Sequence, residues 1–501
     1  MCPVPRRVIA FLVLVTVFRL WFCTQLELVG DEAYYWLWSK HLDYGYFSKG
    51  PGVAWTIAAG AWIFGDTVLG IRFFAVLLAA GTGALLYVLA RTLVSEAVAW
   101  ACLLLSSVIP LFAVGSILMT IDPLSVFFWA LAAVLFWRAK DQNGPLWWIL
   151  TGAAVGLGSL CKYTNLAEIV SFALFCGLHR DYRPHFRRFT FASMVLMALA
   201  MLTPVLIWNY QHGWVTAQHL AHRGALDRAW RFSPGEFFQF VGQQAGVISP
   251  LVLAGILVGA VLPGRSNHAA VESGGIREGV NSTDHGRLEF RFLQTLFWPL
   301  FALYTVLSLN DSGQPNWTAP CYVAGVILGV SHWIPRVREK KWARNLTAVA
   351  VALALLETIV LHDTFWLNLP PRRDPLTRVR GSADLARQVA ALQEQFGAQF
   401  VIANKYAYAS LLAFYLPRPT ETFLPHSVRI ENQFSFWPGY RKQFAAASAI
   451  FVSDSEEIPA QLRADFAIVE RIQTTESMHR GRPIKKFYLS LCRELKAKPN
   501  E

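Results

Sequence analysis

The chain has 501 residues, 54% of them hydrophobic and only 16% charged. Soluble domains carry about 25% charged residues, so one large soluble globule is excluded. The net charge of +12 does not indicate a nucleic-acid partner, because Lys and Arg stand between the hydrophobic runs, as membrane topology requires. Seven cysteines show no CxxC or Cys/His spacing, which gives no metal framework.

Hydrophobic runs of membrane-span length, about 17–25 residues, recur through the first three quarters. They predict spans near 8–26, 67–90, 97–115, 120–138, 146–160, 164–178, 189–209, 237–262, 291–309, 318–335 and 345–366. That is about 11 transmembrane helices, within a range of 9–13. The first run has no small-residue cleavage site and reads as an uncleaved span rather than a signal peptide. With the N-terminus in the cytoplasm, the inner loops hold eighteen Lys and Arg and the outer connections six, the bias expected of that orientation. The outer face then carries the loops 27–66 and 210–236. The stretch from Arg265 to Arg287 reads as a disordered inner loop, on which the glycosylation pattern Asn281-Ser282-Thr283 is a chance match.

The most informative stretch follows the first span: Asp31-Glu32-Ala33-Tyr34-Tyr35-Trp36-Leu37-Trp38, running on to Tyr46-Phe47-Ser48-Lys49-Gly50-Pro51. Acids in a first turn stabilise a helix through its dipole, so Asp31 and Glu32 fit the start of a helix running to His41. They fit a catalytic role equally, since charge at a membrane boundary is costly unless it faces a polar cavity or ligand. Tyr34, Tyr35, Trp36 and Trp38 suit an interfacial aromatic belt on a helix lying on the membrane. Lys49 in its Gly/Pro turn is a surface lysine or a phosphate ligand.

Further along, Asp122-Pro123 is a common helix start, placed on the same face as Asp31. Lys162 lies at an outer hairpin tip, either snorkelling or binding an anion. Arg19 and Arg72 lie in or near spans, where arginine pairs with an acid or lines a polar cavity; Asp31 and Glu32 are the candidate partners. His219, His222, Arg223, Arg228 and Arg231 form a basic outer cluster, solvated or phosphate-binding. Asn316-Trp317 suits sugar binding by hydrogen bond and stacking. No nucleotide or hydrolase motif occurs. From about Arg378 the composition turns soluble. Ser382 to Phe396 has helical spacing, and 400–403, 449–452, 467–469 and 487–491 read as buried strands. The expected layout is a transmembrane module over 1–366, a linker over 367–380 and a periplasmic α/β domain over 381–501.

The Asp31–Ser39 run with Tyr46, Lys49, Gly50 and Pro51 resembles the family 39/83 glycosyltransferases of the GT-C class. These include protein O-mannosyltransferases, aminoarabinose transferases acting on lipid A, and lipopolysaccharide galacturonosyltransferases. Gly158 with Cys161-Lys162-Tyr163-Thr164, Trp208-Asn209, Asn316-Trp317 with Ala319-Pro320, and Asn432-Gln433-Phe434-Ser435-Phe436-Trp437 fit the same pattern. The resemblance covers about residues 8–335. It implies a polytopic helical fold in the bacterial inner membrane, a polyprenyl-phosphate-linked sugar donor, an outward site and inversion at the anomeric carbon. The acceptor is a lipid such as lipid A or lipopolysaccharide, a glycan or a protein. By the resemblance Asp31 is the general base, with Glu32 beside it, and Asp122 the second acid. Lys49, Lys162 and Arg223 hold the donor phosphate, and Tyr34, Tyr35, Tyr46, Asn316 and Trp317 line the substrate pocket. Some members bind a divalent cation through an acid just before the lysine; here that residue is Ser48, which puts a metal in doubt, and no other cofactor is implied. The alternative is a lipid or polysaccharide transporter, against which stand the gathering of acids at one face and the lack of repeats.

Overall fold

A computed structural model describes residues 4–224, 229–262, 282–427 and 429–496. Arg228, most of the 265–287 loop and Asn281 lie outside the described residues. The chain forms two compact units. The first comprises residues 1–20, 49–53 and 73–362, the second 21–48, 54–72 and 363–501. This differs from the linear division expected at 366/367, because the stretches 21–48 and 54–72 group with the C-terminal part. The expected linker is also structured. It holds a 3-10 turn, Pro375–Val379, and Arg380, whose guanidinium pairs with Asp363 and Asp374 at 2.7 Å each.

The first unit is helical. Every described part of the eleven predicted segments is largely helical, but among the described residues five helices are long and apolar enough to cross a membrane unbroken, or seven counting two bent pairs as one span each. In three of the segments the cause is covalent. Proline removes a backbone donor and clashes with the preceding turn. The segment 97–115 breaks between Glu96–Val108 and Pro110–Gly115. The segment 189–209 bends by 45° before Pro204, and 237–262 by 102° before Pro250. Shorter apolar helices, including Leu146–Cys161, complete the bundle. Its core is aromatic: Phe136 stacks on Phe172 at 4.0 Å and on Phe292 at 5.7 Å, with Phe175 edge-on. Such pairs contribute about 0.5–1.5 kcal/mol each beyond area burial.

The second unit joins two helices from the N-terminal part of the chain to an α/β fold. Gly30–Lys40 is the predicted helix after the first span; Gly52–Phe64 is a second, apolar helix inside what reads from sequence as a loop. The sheet contains β1 (Phe400–Ala403), β2 (Thr422–Phe423), β3 (Ala449–Ser453), β4 (Phe466–His479) and β5 (Arg482–Leu495), in the order β2-β1-β3-β5-β4. β1 runs parallel to β2 and β3; β5 is antiparallel to β3 and β4. Side chains alternate across a strand. Val401, Ala403, Ile450 and Val452 therefore pack on one face with Leu385, Val389 and Leu412. Phe400, Ile402, Ala449 and Phe451 pack on the other with Tyr440, Leu462 and Phe466. The helix Ser382–Phe396 has the predicted bounds. The stretch 467–469 is a strand but not a buried one: β4 is the sheet's edge, and Ile468 is 44% exposed.

Candidate active site

In the second unit, Glu32 is the frame of the site. Its carboxylate is buried with Arg72, which donates from Nε at 2.8 Å and from Nη2 at 2.6 Å. The rest of the guanidinium donates to the carbonyls of Cys23 (2.6 Å), Leu26 (2.9 Å) and Glu27 (2.8 Å). All five N–H groups of the arginine are thus used. Glu32 Oε2 also accepts from the Val29 N–H at 3.0 Å, the bond that starts the helix. The expectation of Glu32 as a catalytic acid is therefore corrected: both its oxygens are occupied in the interior. Arg72 finds its expected acid, whereas Arg19 makes no ion pair among the described residues.

Asp31, one residue earlier, is exposed. Its Oδ1 accepts a hydrogen bond from the Tyr406 hydroxyl at 3.0 Å. The Tyr406 ring packs tilted at 40° against Tyr34, ring centres 4.5 Å apart. The Tyr34 hydroxyl accepts from the Gln433 N–H at 2.5 Å, and Gln433 Oε1 accepts from the Phe47 N–H at 2.7 Å. The Asn432–Trp437 run thus clamps the aromatic helix. Tyr35 is buried against Trp38 at 4.9 Å. Tyr46 is moved from the substrate pocket to the core: it is buried on Trp38 at 4.3 Å, and its hydroxyl bridges the carbonyls of Trp38 and His41 at 3.1 Å. Tyr406 was not legible from sequence, being 375 residues from Asp31. A charge-assisted hydrogen bond contributes about 1.5–3 kcal/mol. Tyr406→Phe should therefore lower kcat/KM for sugar transfer about tenfold or more, with the melting temperature nearly unchanged, as measured by initial rates and thermal unfolding.

In the first unit, Asp122 stands at the start of the helix Ile121–Ala139, where the Thr120 hydroxyl accepts from its N–H at 3.3 Å. Lys162 donates to Asp122 Oδ1 at 2.7 Å and to the Asn316 carbonyl at 2.9 Å; Asn316 Nδ2 donates to Oδ2 at 2.5 Å. Lys162 is only 7% exposed on its side chain. Its place is therefore a positioning one, with its charge matched by Asp122, rather than that of an open phosphate ligand. Gln244, buried in an apolar helix, holds the turn that carries Asn316. It donates to the Pro315 carbonyl at 3.2 Å and accepts from the hydroxyls of Thr318 (2.7 Å) and Tyr322 (2.9 Å). Gly313, at φ +63°, precedes this turn; a Cβ there would meet the Trp317 ring at 2.8 Å.

Lys49 shares a basic cluster with His219, His222 and Arg223. Gly50 after it approaches the Leu160 carbonyl so closely that a Cβ would lie 2.1 Å from the oxygen, which explains a glycine there. The Arg223 guanidinium lies 5.9 Å from the Trp317 ring centre. Burial, then the charges of Lys49, Arg223 and His222, push the His219 pKa down from 6.5 to about 4. The His219 ring is neutral at pH 7, beside the ammonium of Lys49 and the guanidinium of Arg223. Because the folded value lies below the unfolded one, the unfolded chain binds the proton first on acidification. This contribution to stability is whole above pH 6.5 and lost as pH falls toward 4. Melting temperatures should hold steady from pH 8 to 7 and fall below 6.5, with a shallower fall in His219→Gln.

A cavity of about 340 Å³ runs within the first unit. Leu12, Leu86 and Leu103 are among its mostly apolar walls, Arg19 lies on it, and Asp122 and Asn316 line it too. Among the described residues, no three His, Cys, Asp or Glu side chains stand together as a metal site. Ser48 stands where some members of the family carry the acid that helps bind a divalent cation.

An exposed acid at the start of one helix, a second acid fixed at the start of another, and a bundle with an apolar cavity fit a fold of the GT-C kind. The aminoarabinose transferase ArnT of Cupriavidus metallidurans, in the apo state, superposes with a TM-score of 0.63 over 96% of this chain and 97% of that one, at 17% identity. Its structure bound to undecaprenyl phosphate gives 0.61 at 16% identity. Residues 48–208 match the family described as dolichyl-phosphate-mannose-protein mannosyltransferase. The chain is 28% identical to the lipid A galacturonosyltransferase RgtD of Rhizobium johnstonii over 407 residues, 78% of this chain and 80% of the relative. It is 27% identical to the undecaprenyl phosphate-alpha-4-amino-4-deoxy-L-arabinose arabinosyl transferase of Pseudomonas aeruginosa over 69% of this chain and 61% of that one. The chain thus has the GT-C fold, and its relatives by sequence are named sugar transferases.

Proposed function

We propose that this enzyme moves a sugar from a polyprenyl-phosphate donor to a lipid acceptor of the bacterial envelope, lipid A or a related glycolipid, with inversion at the anomeric carbon. The observation that carries the reading is the contrast between two adjacent acids. Glu32 is buried and saturated, while Asp31 is exposed and held by one tyrosine hydroxyl. Asp31 takes the proton of the acceptor hydroxyl as that oxygen bonds to the sugar C1. The C1–O bond to the phosphate breaks, and its electron pair leaves with the polyprenyl phosphate. Lys49 and Arg223 meet the charge that develops on the phosphate. Asp122, held by Lys162 and Asn316, orients the sugar. The apolar cavity suits the donor's prenyl chain.

The distribution of Lys and Arg supports an N-terminus in the cytoplasm of an inner-membrane protein, with Asp31 and the C-terminal part on the periplasmic side. The relatives named above are sugar transferases, and none favours the transporter alternative. The test is incubation of purified protein with a polyprenyl-phosphate sugar and lipid A. The expected products are free polyprenyl phosphate and a glycosylated lipid in equal amounts; release of neither, with a folded protein, would remove the reading.

A further inference from the structure

Two arginines stand in or near spans, and their surroundings differ. Arg72 directs its guanidinium to Glu32 and three carbonyls. Arg19, in the last turn of the helix Arg6–Phe22, makes neither an ion pair nor a hydrogen bond among the described residues. It is only half-buried. Leu12, Val15, Thr16 and Arg19 share one face of that helix, and all four line the cavity of about 340 Å³.

The cavity offers Arg19 no counter-charge. Among the described residues, Asp122 is the other charged group on its walls, and Lys162 already matches it at 2.7 Å. His362 lies near Arg19 but brings no negative charge, and its Nδ1 bonds the Thr358 carbonyl at 2.6 Å. The wall hydroxyls of Thr16, Ser106, Ser107 and Ser116 donate to nearby carbonyls. The Arg19 guanidinium is therefore the charged donor left for a ligand. A cation at membrane depth is costly unless it meets an anion or water, and the other walls are mostly apolar. One kind of molecule satisfies both: an anionic group joined to a hydrocarbon body. A guanidinium binds phosphate or carboxylate in a two-pronged way.

We propose that Arg19 is the cation of a subsite for the phosphate or carboxylate of a lipid-borne substrate, whose hydrocarbon lies on Leu12, Leu86 and Leu103. The subsite is separate from Lys49 and Arg223, which are not on the cavity walls. The proposal rests on the transferase reading, which gives two sources for the anion, the donor and the acceptor lipid.

The probe is farnesyl phosphate, with farnesol as its neutral counterpart, titrated into full-length protein in detergent. Binding is read in K49Q/R223Q, so that the donor's phosphate ligands do not mask it. That variant should prefer farnesyl phosphate about tenfold or more. R19Q/K49Q/R223Q should lose the preference, and R19K in the same background should keep most of it. R19Q alone should melt no lower than wild type, because it removes an unmatched cation rather than an ion pair. In transfer assays, a rise of about tenfold in the donor KM of R19Q assigns the anion to the donor, and the same rise in the acceptor KM assigns it to the acceptor. No preference in K49Q/R223Q, a preference that survives R19Q, a lowered melting temperature of R19Q or two unchanged KM values would overturn the subsite. The transferase reading would still stand or fall on its own assay.

Discussion

Asp31→Asn should lower the rate of sugar transfer about a thousandfold or more. A positioned general base contributes roughly 10²–10⁴-fold, and an amide cannot take the acceptor's proton. The substitution keeps an oxygen for the Tyr406 hydroxyl, which donates to Asp31 at 3.0 Å, and it leaves Glu32 and the helix start untouched. Melting temperature and membrane insertion should therefore match wild type, and the donor KM should move little, because the lost interaction belongs to the transition state. Initial rates of polyprenyl-phosphate release read the effect. A variant within tenfold of wild type would take Asp31 out of the mechanism.

Arg72→Ala should have the opposite profile, with a large loss of stability from which loss of activity follows. The guanidinium is buried with Glu32 and also satisfies three backbone carbonyls. Removing it leaves an uncompensated carboxylate in the interior, a change that costs about 3–5 kcal/mol, set against a typical total stability of about 5–15 kcal/mol. The variant should melt well below wild type and accumulate poorly. The pair is coupled, so the double variant E32Q/R72Q should be more stable than Arg72→Ala alone, since no charge is left buried. Thermal unfolding in detergent measures both. If Arg72→Ala melted within a degree or two of wild type, the ion pair would not be the frame of the Asp31 helix.

What the sequence disclosed follows the range of the forces involved. Hydrophobicity is local, so the apolar helices and the helix Ser382–Phe396 could be read directly from their neighbours in the chain. Proline breaks such as the one at Pro250, where the chain bends by 102°, are local too and turn one apparent span into two helices. Burial of a strand depends on its neighbours in the sheet. Ile468 looks like a core residue and lies on an edge. The roles of Asp31 and Glu32 could not be separated, because adjacent acids differ only in their partners. Arg72 comes 40 residues after Glu32, and Tyr406 comes 375 after Asp31. Lys162 could be read as an open cation for the same reason, since its acid lies 40 residues before it. Gln244 gave no signal: a lone amide in an apolar helix acquires meaning only through Pro315, Thr318 and Tyr322.

The most direct test of sugar transfer to an envelope lipid is mass spectrometry of lipid A from cells with the enzyme, without it, and with Asp31→Asn in its place. Cells with the wild-type enzyme should contain lipid A heavier by one sugar residue, absent from the other two. Identical lipid A masses in all three would contradict the account.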